Sequence, residues 1–240
     1  MFDRVVCINL DRRPDRWCRF QGGQPGNWPF KPIERIAAID GRKCGPPAWY
    51  GQPPELNHPP RDDWRVMTVG AWGCLRSHVR VWEDVMSAGL DSVLIFEDDA
   101  VFGPDFATDV EAFLAEVPDD WGQIYLGGQH LAFDKYPPIG LSPRVIRGTN
   151  VNRTHAYAIR GETMRAAYDL MCGQWHAERI QEFHIDHRLG MLHAEHKAYC
   201  PRRWLVGQCV GASDVWGQLM STCWWNEFGI VEREACVAAY

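Results

Sequence analysis

The sequence contains no CxxC pair, no apolar run long enough to span a bilayer and no stretch with the pattern of a signal peptide. Its nine cysteines are scattered and odd in number, which argues against a disulfide framework or a zinc ribbon and favours reduced, mostly buried thiols. Internal repeats and low-complexity tracts are also absent. Together these absences argue against membrane-spanning, disulfide-stapled and repeat proteins, and they predict a cytoplasmic location.

The sequence also has no excess of positive charge. It contains 25 Lys and Arg against 31 Asp and Glu, so its formal net charge of −6 argues against a general nucleic-acid binder. Arginine is nevertheless concentrated near the start of the chain, which suggests a local anion site, with a solvated surface as the alternative. The residues concerned are Arg4, Arg12, Arg13, Arg16 and Arg19.

The apolar residues follow the periods of strands and helices in turn. Strands are predicted at 4–10, 33–41, 92–100, 121–128 and 154–159, and helices at 68–89, 105–117 and 161–171. This alternation predicts an α/β fold with helices on both faces of the sheet, in which ligands bind outside the carboxyl ends of the strands. The segment 44–64 is rich in Pro and Gly and is predicted to be an irregular loop, such as a lid or an insertion.

The segment SVLIFEDDA, residues 92–100, runs from four apolar residues directly into three carboxylates. The apolar part predicts a central strand buried on both faces. Adjacent carboxylates repel one another, and a divalent cation that prefers oxygen ligands, Mg²⁺ or Mn²⁺, would resolve the repulsion. In an extended segment Glu97 and Asp99 point the same way, so they are the predicted metal ligands, and Asp98 joins them only if the strand end turns. The alternative is a set of helix-capping acids and solvated loop charge.

Seven motifs occur in one order along the chain: INLDRRPDR (8–16), RIAAIDG (35–41), GAWGCLRSHVRVW (70–82), LIFEDDA (94–100), THAYAI (154–159), IDHRL (185–189) and VGQCVGASD (206–214). Together they resemble glycosyltransferase family 25, the lipooligosaccharide and collagen galactosyltransferase type, up to about residue 216. The resemblance implies a glycosyltransferase-A-like fold, with a mixed, mostly parallel sheet in a domain of residues 1–216 and an extension, 217–240, packed on it.

The activity that the resemblance implies is an inverting transfer of a sugar, such as galactose or glucose, from a UDP-sugar to a hydroxyl acceptor. The EDD segment would be the family's metal motif, holding Mn²⁺ or Mg²⁺ against the diphosphate leaving group. A glycan is the expected acceptor, with a small molecule, a protein hydroxyl or a modified DNA base as alternatives. The expected partners are therefore a nucleotide-sugar donor and this acceptor.

The resemblance also assigns roles to polar residues in the motifs. It implies a donor-binding set of Asn9, Asp11, Arg12, Arg16, Asp40, Ser77, His78, Asp98, Gln208 and Asp214. The arginines would bind the diphosphate, Asp40 would contact base or ribose, and Gly73 would let the ligand approach Ser77 and His78 closely. Asp186 is the implied catalytic base for the acceptor hydroxyl. Each motif also has a structural interpretation: a salt-bridged loop, an Asp-Gly turn, a packed histidine or a helix cap.

Two rival functions remain open. Four of the nine histidines lie in EFHIDHRLGMLHAEH, at His184, His187, His193 and His196. Each pair is three residues apart and would share a helix face, so a zinc hydrolase is conceivable. It is the weaker interpretation because HExxH is absent and the acidic strand end would go unexplained. The second rival is a catalytically inactive module that binds a sugar nucleotide or a glycan.

Overall fold

The computed structural model describes residues 1–45, 68–172, 184–209, 211–212, 219–220, 222–227 and 229–232. The helices in these ranges are α1 (Pro14–Gly22), α2 (Val69–Ser87), α3 (Phe106–Leu114), α4 (Gly161–Cys172) and α5 (Ile185–Met191), which a 3₁₀ helix at Leu192–Ala194 follows. None of these helices has the length and apolar character needed to cross a membrane. The predicted loop at 44–64 lies outside the described residues from position 46 onward.

The strands of the described residues fall into one large sheet and two small pairs. In chain order they are β1 (Arg4–Asn9), β2 (Glu34–Ala37), β3 (Ser92–Glu97), β4 (Ala100–Phe102), β5 (Gln123–His130), β6 (Ile139–Gly140), β7 (Val145–Gly148), β8 (Val151–Arg160), β9 (Ala198–Pro201), β10 (Val206–Gln208), β11 (Gly211–Ala212), β12 (Leu219–Met220) and β13 (Val231–Glu232). Nine of them form a sheet in the order β13-β6-β7-β9-β5-β8-β3-β1-β2, while β10 pairs with β4 and β11 with β12.

The large sheet is mixed but mostly parallel. β1 runs parallel to both β2 and β3, and β8 lies antiparallel between β3 and β5. On the far side β9 is parallel to β5, β7 is antiparallel to β9 and to β6, and β13 is parallel to β6. Only β7 and β8 therefore oppose the other seven strands of this sheet. The predicted α/β fold with a mixed, mostly parallel sheet is confirmed.

The central strand β3 is buried on both faces, as its apolar run predicts. Val93 and Ile95 pack in the core on the side of α2, whereas Leu94 and Phe96 pack in a second core on the side of α3. All four side chains have no solvent exposure. Because neighbouring residues of a strand face opposite ways, one strand contributes to both layers. Burial of a side chain of this size stabilises the fold by about 1.5–3 kcal/mol.

Three parallel strands end together and place the site. β1 ends at Asn9, β2 at Ala37 and β3 at Glu97, and the register pairs Asn9 with Ala37 and Ile8 with Glu97. A turn at Asp98 then leads into β4. The carboxyl ends of β1, β2 and β3 therefore bring polar groups to one edge of the sheet, where ligands bind in α/β folds.

α2 begins against the segment that follows β2. The hydroxyl of Thr68 caps the helix by accepting from the backbone N–H of Ala71, and Gly89, with a φ of +69°, follows its last turn. A Cβ at Gly41 would lie 1.7 Å from the Val69 carbonyl oxygen, and one at Gly73 would lie 2.6 Å from the carbonyl oxygen after β2 at position 39. Only glycine permits this approach of backbone to helix.

Candidate active site

A pocket lies at the shared carboxyl ends of β1, β2 and β3. It encloses about 730 Å³, part of it open to solvent, and we call it the strand-end pocket. Its walls also include the first turns of α2 and the end of β10. Nine residues of the predicted set line it: Arg12, Arg16, Asp40, Ser77, His78, Glu97, Asp98, Asp99 and Gln208. The fold thus brings together residues from five separate segments, at positions 12–16, 40, 77–78, 97–99 and 208.

Asp98 is held entirely by the protein. One carboxylate oxygen accepts from the Arg16 guanidinium at 2.8 Å, and the other accepts from the Asn9 amide at 2.6 Å. Burial raises the pKa of Asp98, and Arg16 and Asn9 only partly offset that effect. Because both its oxygens are engaged, Asp98 ties α1 and the end of β1 to the turn after β3. This arrangement leaves the neighbouring acids, rather than Asp98, as available oxygen ligands.

Asn9 and Asp11 do not line the strand-end pocket. The Asn9 side chain is buried, and its carbonyl oxygen accepts from the Arg35 guanidinium at 2.8 Å. Arg35 also donates to Asp11 at 2.8 Å, and the Asp11 side chain is 76% exposed. These residues therefore form a polar network beside the pocket, which corresponds to the salt-bridged loop that the sequence leaves open.

Glu97 carries its charge at the end of β3. Its carboxylate accepts from the Thr154 hydroxyl at 2.5 Å and lies 3.4 Å from the Nε2 atom of His78. Burial acts to raise the pKa of Glu97, but His78 and the Thr154 hydroxyl outweigh it and hold the pKa below the ordinary value. Glu97 is therefore ionised at neutral pH.

Asp99 is the acid of this group whose hydrogen bonding is incomplete and whose pKa is raised. One oxygen accepts from the Gln208 amide at 3.0 Å, while Oδ1 is buried and has no hydrogen-bond partner among the described residues. Burial, together with the charges of Glu97 and Asp98, raises the pKa of Asp99 to about 7. A buried carboxylate oxygen without a donor is unfavourable unless a cation or a ligand supplies the missing charge.

Ser77 and His78 make their hydrogen bonds inside the protein. The Ser77 hydroxyl donates to the Gly73 carbonyl at 2.6 Å and accepts from the Ile39 N–H at 2.8 Å. Gly73 lines the strand-end pocket and is also approached by the chain's own backbone, because a Cβ there would lie 2.6 Å from the carbonyl oxygen of Ile39. The Nδ1 atom of His78 lies 3.0 Å from the Tyr157 hydroxyl, and His78 is fully buried.

Asp40 and two arginines form the outer wall of the strand-end pocket. The Asp40 carboxylate accepts from the Arg12 guanidinium at 3.2 Å and from the backbone N–H of Arg42 at 3.1 Å. Partial burial acts to raise the pKa of Asp40, but the N–H of Arg42 and the Arg12 guanidinium hold it below the ordinary value. The predicted Asp-Gly turn and the pocket wall are thus the same piece of chain.

Asp186 lies in the first turn of α5, which packs against α2. One of its oxygens accepts from the backbone N–H of His187 at 3.0 Å. Asp186 is not among the residues that line the pocket, but its charge acts on a residue that does. Burial raises the pKa of the Cys74 thiol, and the charges of Glu97, Asp186 and Asp99 raise it further. Asp214, the last member of the predicted donor-binding set, lies outside the described residues.

The four clustered histidines do not converge on one point. His193 is buried and bonds a glutamine of β5 through Nε2 at 3.2 Å, and His196 bonds a threonine of α4 through Nδ1 at 3.0 Å. The rings of His184 and His187 lie 6.3 Å apart between centroids. Within the described ranges, the metal-ligating side chains whose donor atoms do converge are Cys74, His78 and Glu97. This part of the chain therefore gives no four-histidine zinc centre.

A known protein family matches most of this chain. The model of glycosyltransferase family 25, described as an LPS biosynthesis protein, matches residues 4–171. The chain belongs to glycosyltransferase family 25. The resemblance seen in the seven motifs is thus confirmed for the part of the chain that carries the first five of them.

The relatives in family 25 include proteins named as galactosyltransferases and proteins named as inactive. The human protein called inactive glycosyltransferase 25 family member 3 is 34% identical over 166 residues, which cover 66% of this chain and 27% of that protein. Procollagen galactosyltransferase 2 of Mus musculus is 28% identical over 135 residues, covering 54% of this chain and 21% of that protein. The chain therefore spans about a quarter of the length of these relatives.

Among solved structures, a glycosyltransferase involved in the glycosylation of the major capsid of PBCV-1 aligns with a TM-score of 0.30 and 9% identity, covering 71% of this chain and 67% of that chain. A likeness this distant carries no information about function. The family 25 assignment rests on the sequence match alone.

Three residues at this site with polar or metal-ligating side chains are absent from the predicted set: Cys74, Thr154 and Arg42. Cys74 precedes His78 by four residues, a spacing that places both on one helix face and would have identified it. Thr154 lies on β8, whose pairing with β3 brings it to Glu97. That pairing depends on a cross-strand register that no local pattern in the sequence reveals. Arg42 directly follows the Asp-Gly turn and carries no signal of its own.

Proposed function

We propose that this family 25 chain is an inverting, metal-dependent glycosyltransferase that moves a sugar from a UDP-sugar to a hydroxyl group of a glycan. The observation that carries the proposal is the strand-end pocket, which Glu97 and Asp99 both line and where, among the described residues, neither acid accepts a hydrogen bond from a Lys or Arg side chain. Their neighbour Asp98 is neutralised by Arg16, whereas the buried Oδ1 of Asp99 has no hydrogen-bond partner among the described residues. The oxygens of Glu97 and Asp99 are therefore the ones in this pocket that would bind a cation beside the diphosphate.

Glu97 and Asp99 fit a hard divalent cation. Both offer carboxylate oxygens, the ligands that Mg²⁺ and Mn²⁺ prefer, and Asp99 has an oxygen in need of a partner. The hydrogen bonds from Thr154 and Gln208 would orient the two carboxylates, as outer-shell groups do at metal sites. When bound, Mn²⁺ or Mg²⁺ would neutralise the negative charge that develops on the leaving diphosphate.

The arginines at the rim would bind the donor. Arg12 and Arg42 line the strand-end pocket beside Asp40, and their guanidinium groups suit the oxygens of a diphosphate. Asp40 would accept from a ribose hydroxyl or a base N–H, because its negative charge is maintained by Arg12. The buried Arg16–Asp98 pair would keep the turn after β3 in place while the donor binds. Ser77 would keep the backbone of Ile39 in place by accepting a hydrogen bond from its N–H.

Asp186 is the general base of the proposal. Its position on α5 beside α2 puts its charge within reach of Cys74, one of the residues that line the strand-end pocket. The Asp186 carboxylate would take the proton of the acceptor hydroxyl while the hydroxyl oxygen attacks the anomeric carbon. The bond between that carbon and the diphosphate oxygen breaks in the same step, which inverts the configuration. Gln208 and Asp214 would close the site around the donor.

The experiment measures UDP release from a panel of UDP-sugars with Mn²⁺ and a panel of glycan acceptors. We expect release that depends on the metal and the acceptor, and that falls at least about a hundredfold in Asp186→Asn. Asp169→Asn, an acid on α4 for which we propose no role, is the matched control and should retain activity. Equal activity of the wild-type protein and Asp186→Asn would contradict the assigned base, and no release with any donor would contradict the transferase.

A second candidate function is a catalytically inactive module that binds sugar nucleotides. It is favoured by the 34% identity to a human protein whose name calls it inactive. The same strand-end pocket would then bind UDP-sugar without breaking the glycosidic bond. Stabilisation by UDP-galactose with no UDP released from any donor–acceptor pair would support the module over the enzyme.

A further inference from the structure

A set of softer metal ligands lies beside the acidic pair. Cys74 and His78 are one turn apart on α2, so their side chains share a helix face, and Glu97 meets them from the end of β3. The ligand atoms of these three residues all lie within 4.8 Å of one another. The strand-end pocket thus contains three potential metal ligands close together: a thiol, an imidazole and a carboxylate.

His78 is already oriented as a metal-binding histidine is. Its Nδ1 atom lies 3.0 Å from the Tyr157 hydroxyl, which fixes the ring. Its Nε2 atom is buried and has no partner with hydrogen-bond geometry among the described residues, although it lies 3.4 Å from the Glu97 carboxylate. A metal-ligating histidine characteristically uses one ring nitrogen for the metal and donates from the other to a fixed oxygen. In the tautomer with a proton on Nδ1, the Tyr157 hydroxyl is that oxygen, and the unpartnered Nε2 lies 3.4 Å from Glu97.

The donor types select the metal. A cysteine sulfur is a poor ligand for Mg²⁺ and a good one for Zn²⁺, which also accepts imidazole nitrogen and carboxylate oxygen. Zn²⁺ bonds of about 2.0–2.3 Å in a tetrahedron place neighbouring ligand atoms about 3.3–3.8 Å apart. The three atoms, within 4.8 Å of one another, therefore need to approach by about 1.5 Å at most. With three protein ligands, a fourth position would remain for water or a ligand oxygen from the pocket.

We propose that Cys74, His78 and Glu97 form a Zn²⁺ site, and that zinc bound there inhibits nucleotide binding by taking Glu97 from the Mn²⁺ or Mg²⁺ site. Binding converts the Cys74 thiol to a thiolate and releases its proton to the solvent. Glu97 is the shared residue, because Asp99 belongs only to the hard-metal site and Cys74 only to the soft one. The inhibition rests on the proposed function, whereas the zinc site itself does not.

The test uses Co²⁺ as a spectroscopic substitute for Zn²⁺, with the full chain, reduced and without nucleotide. We expect one equivalent of Co²⁺ to produce the near-ultraviolet absorption of a cobalt–thiolate bond, and Zn²⁺ to displace it. Cys74→Ser should lose this absorption and bind Zn²⁺ at least about tenfold more weakly in a chelator competition. Cys18→Ser, which removes an exposed thiol on α1, is the matched control and should keep both the cobalt absorption and the affinity for Zn²⁺. His78→Gln is the second variant, with thermal melting to show that each variant is folded.

Two further variants separate this inference from the proposed function. Asp99→Asn should keep the cobalt absorption but lose Mn²⁺-dependent UDP binding, and zinc should weaken UDP binding to the wild-type protein at least about tenfold. Retention of the absorption in folded Cys74→Ser, or its loss in a His184→Ala, His187→Ala variant, would overturn the zinc site. Unchanged UDP binding with zinc bound would overturn the inhibition. If no UDP binds under any condition while Cys74→Ser loses the absorption, the zinc site stands and the proposed function fails.

Discussion

Arg16 and Asp98 form a buried ion pair in the wall of the strand-end pocket. The guanidinium nitrogen lies 2.8 Å from the carboxylate oxygen, and each side chain is only 8% exposed. The pair joins α1 to the turn after β3, across 82 residues of sequence. Because burial still raises the pKa of Asp98, the pair holds the site in shape more than it stabilises the fold.

The first prediction concerns this ion pair. Asp98→Asn should reduce the free energy of unfolding by about 3 kcal/mol, because it removes the buried carboxylate charge that pairs with the Arg16 guanidinium. Urea unfolding measures the loss. Asp15→Asn, which breaks the exposed pair between Arg13 and Asp15, is the control and should leave stability nearly unchanged. Adding Arg16→Met to Asp98→Asn should recover part of the loss, and equal losses in Asp98→Asn and Asp15→Asn would contradict the account.

The second prediction concerns the contact between α2 and the segment after β2. Gly73→Ala places a Cβ 2.6 Å from the carbonyl oxygen of Ile39, so backbone must move, and we expect a loss of about 1–3 kcal/mol together with weaker UDP binding. Gly22→Ala, in the last turn of α1, meets no atom within 4 Å and should be neutral or slightly stabilising. Chemical unfolding compares the two. An equally well-tolerated Gly73→Ala would show that the pocket wall is not fixed at this point.

The fold was largely predictable because its signals are local. The apolar run at 93–96 and its acidic end, the helical spacing over 68–89 and the glycine stop at Gly89 are each contained in one short segment. The small strands β6, β7 and β9 were not predicted, because short strands that add to one side of a sheet lack a distinctive pattern of their own. The mixed topology depends on β8 inserting antiparallel between β3 and β5, which the strand sequence does not specify.

The site was predictable only as a set of residue types. Glu97, Asp98 and Asp99 are visible as an acidic strand end, but their different environments come from distant partners. Asp98 is neutralised by a residue 82 positions away, and Asp99 accepts from a residue 109 positions away. Thr154 reaches Glu97 only through the register of β8 against β3. These pairings depend on tertiary contacts, which residue spacing alone cannot show.

The third prediction tests the orientation of Glu97. Thr154→Val removes the hydroxyl that donates to Glu97 while keeping the shape of the side chain, so Mn²⁺-dependent UDP binding should weaken about tenfold. Thr163→Val removes an equally buried hydroxyl near the opposite end of β8, where it bonds His196, and should leave UDP binding unchanged. Calorimetric titration of both variants makes the comparison. Equal effects would mean that the Thr154 hydroxyl has no special role at the site.

The fourth prediction follows from the raised pKa of Asp99. In the folded chain this carboxyl holds its proton up to about pH 7, whereas its ordinary pKa is 3.8, so folding takes up a proton between these values. The contribution of Asp99 to stability is therefore fully present below pH 3.8 and is lost as the pH rises through about 7. In EDTA, Asp99→Asn should be more stable than wild type at pH 8, by roughly 1–3 kcal/mol, and the difference should shrink as the pH falls towards 5. Melting curves of both proteins across this range measure it, and a pH-independent difference would contradict the assignment.

The central claim is that the strand-end pocket binds a nucleotide diphosphate through a cation held by Glu97 and Asp99. Calorimetric titration of UDP into the wild-type protein and Asp99→Asn, each with Mn²⁺ and with EDTA, tests it most directly. We predict binding of UDP to the wild-type protein with Mn²⁺, at least about tenfold weaker binding in EDTA, and no effect of Mn²⁺ on Asp99→Asn. UDP binding that is equally strong with and without Mn²⁺, or that persists unchanged in Asp99→Asn, would contradict the account.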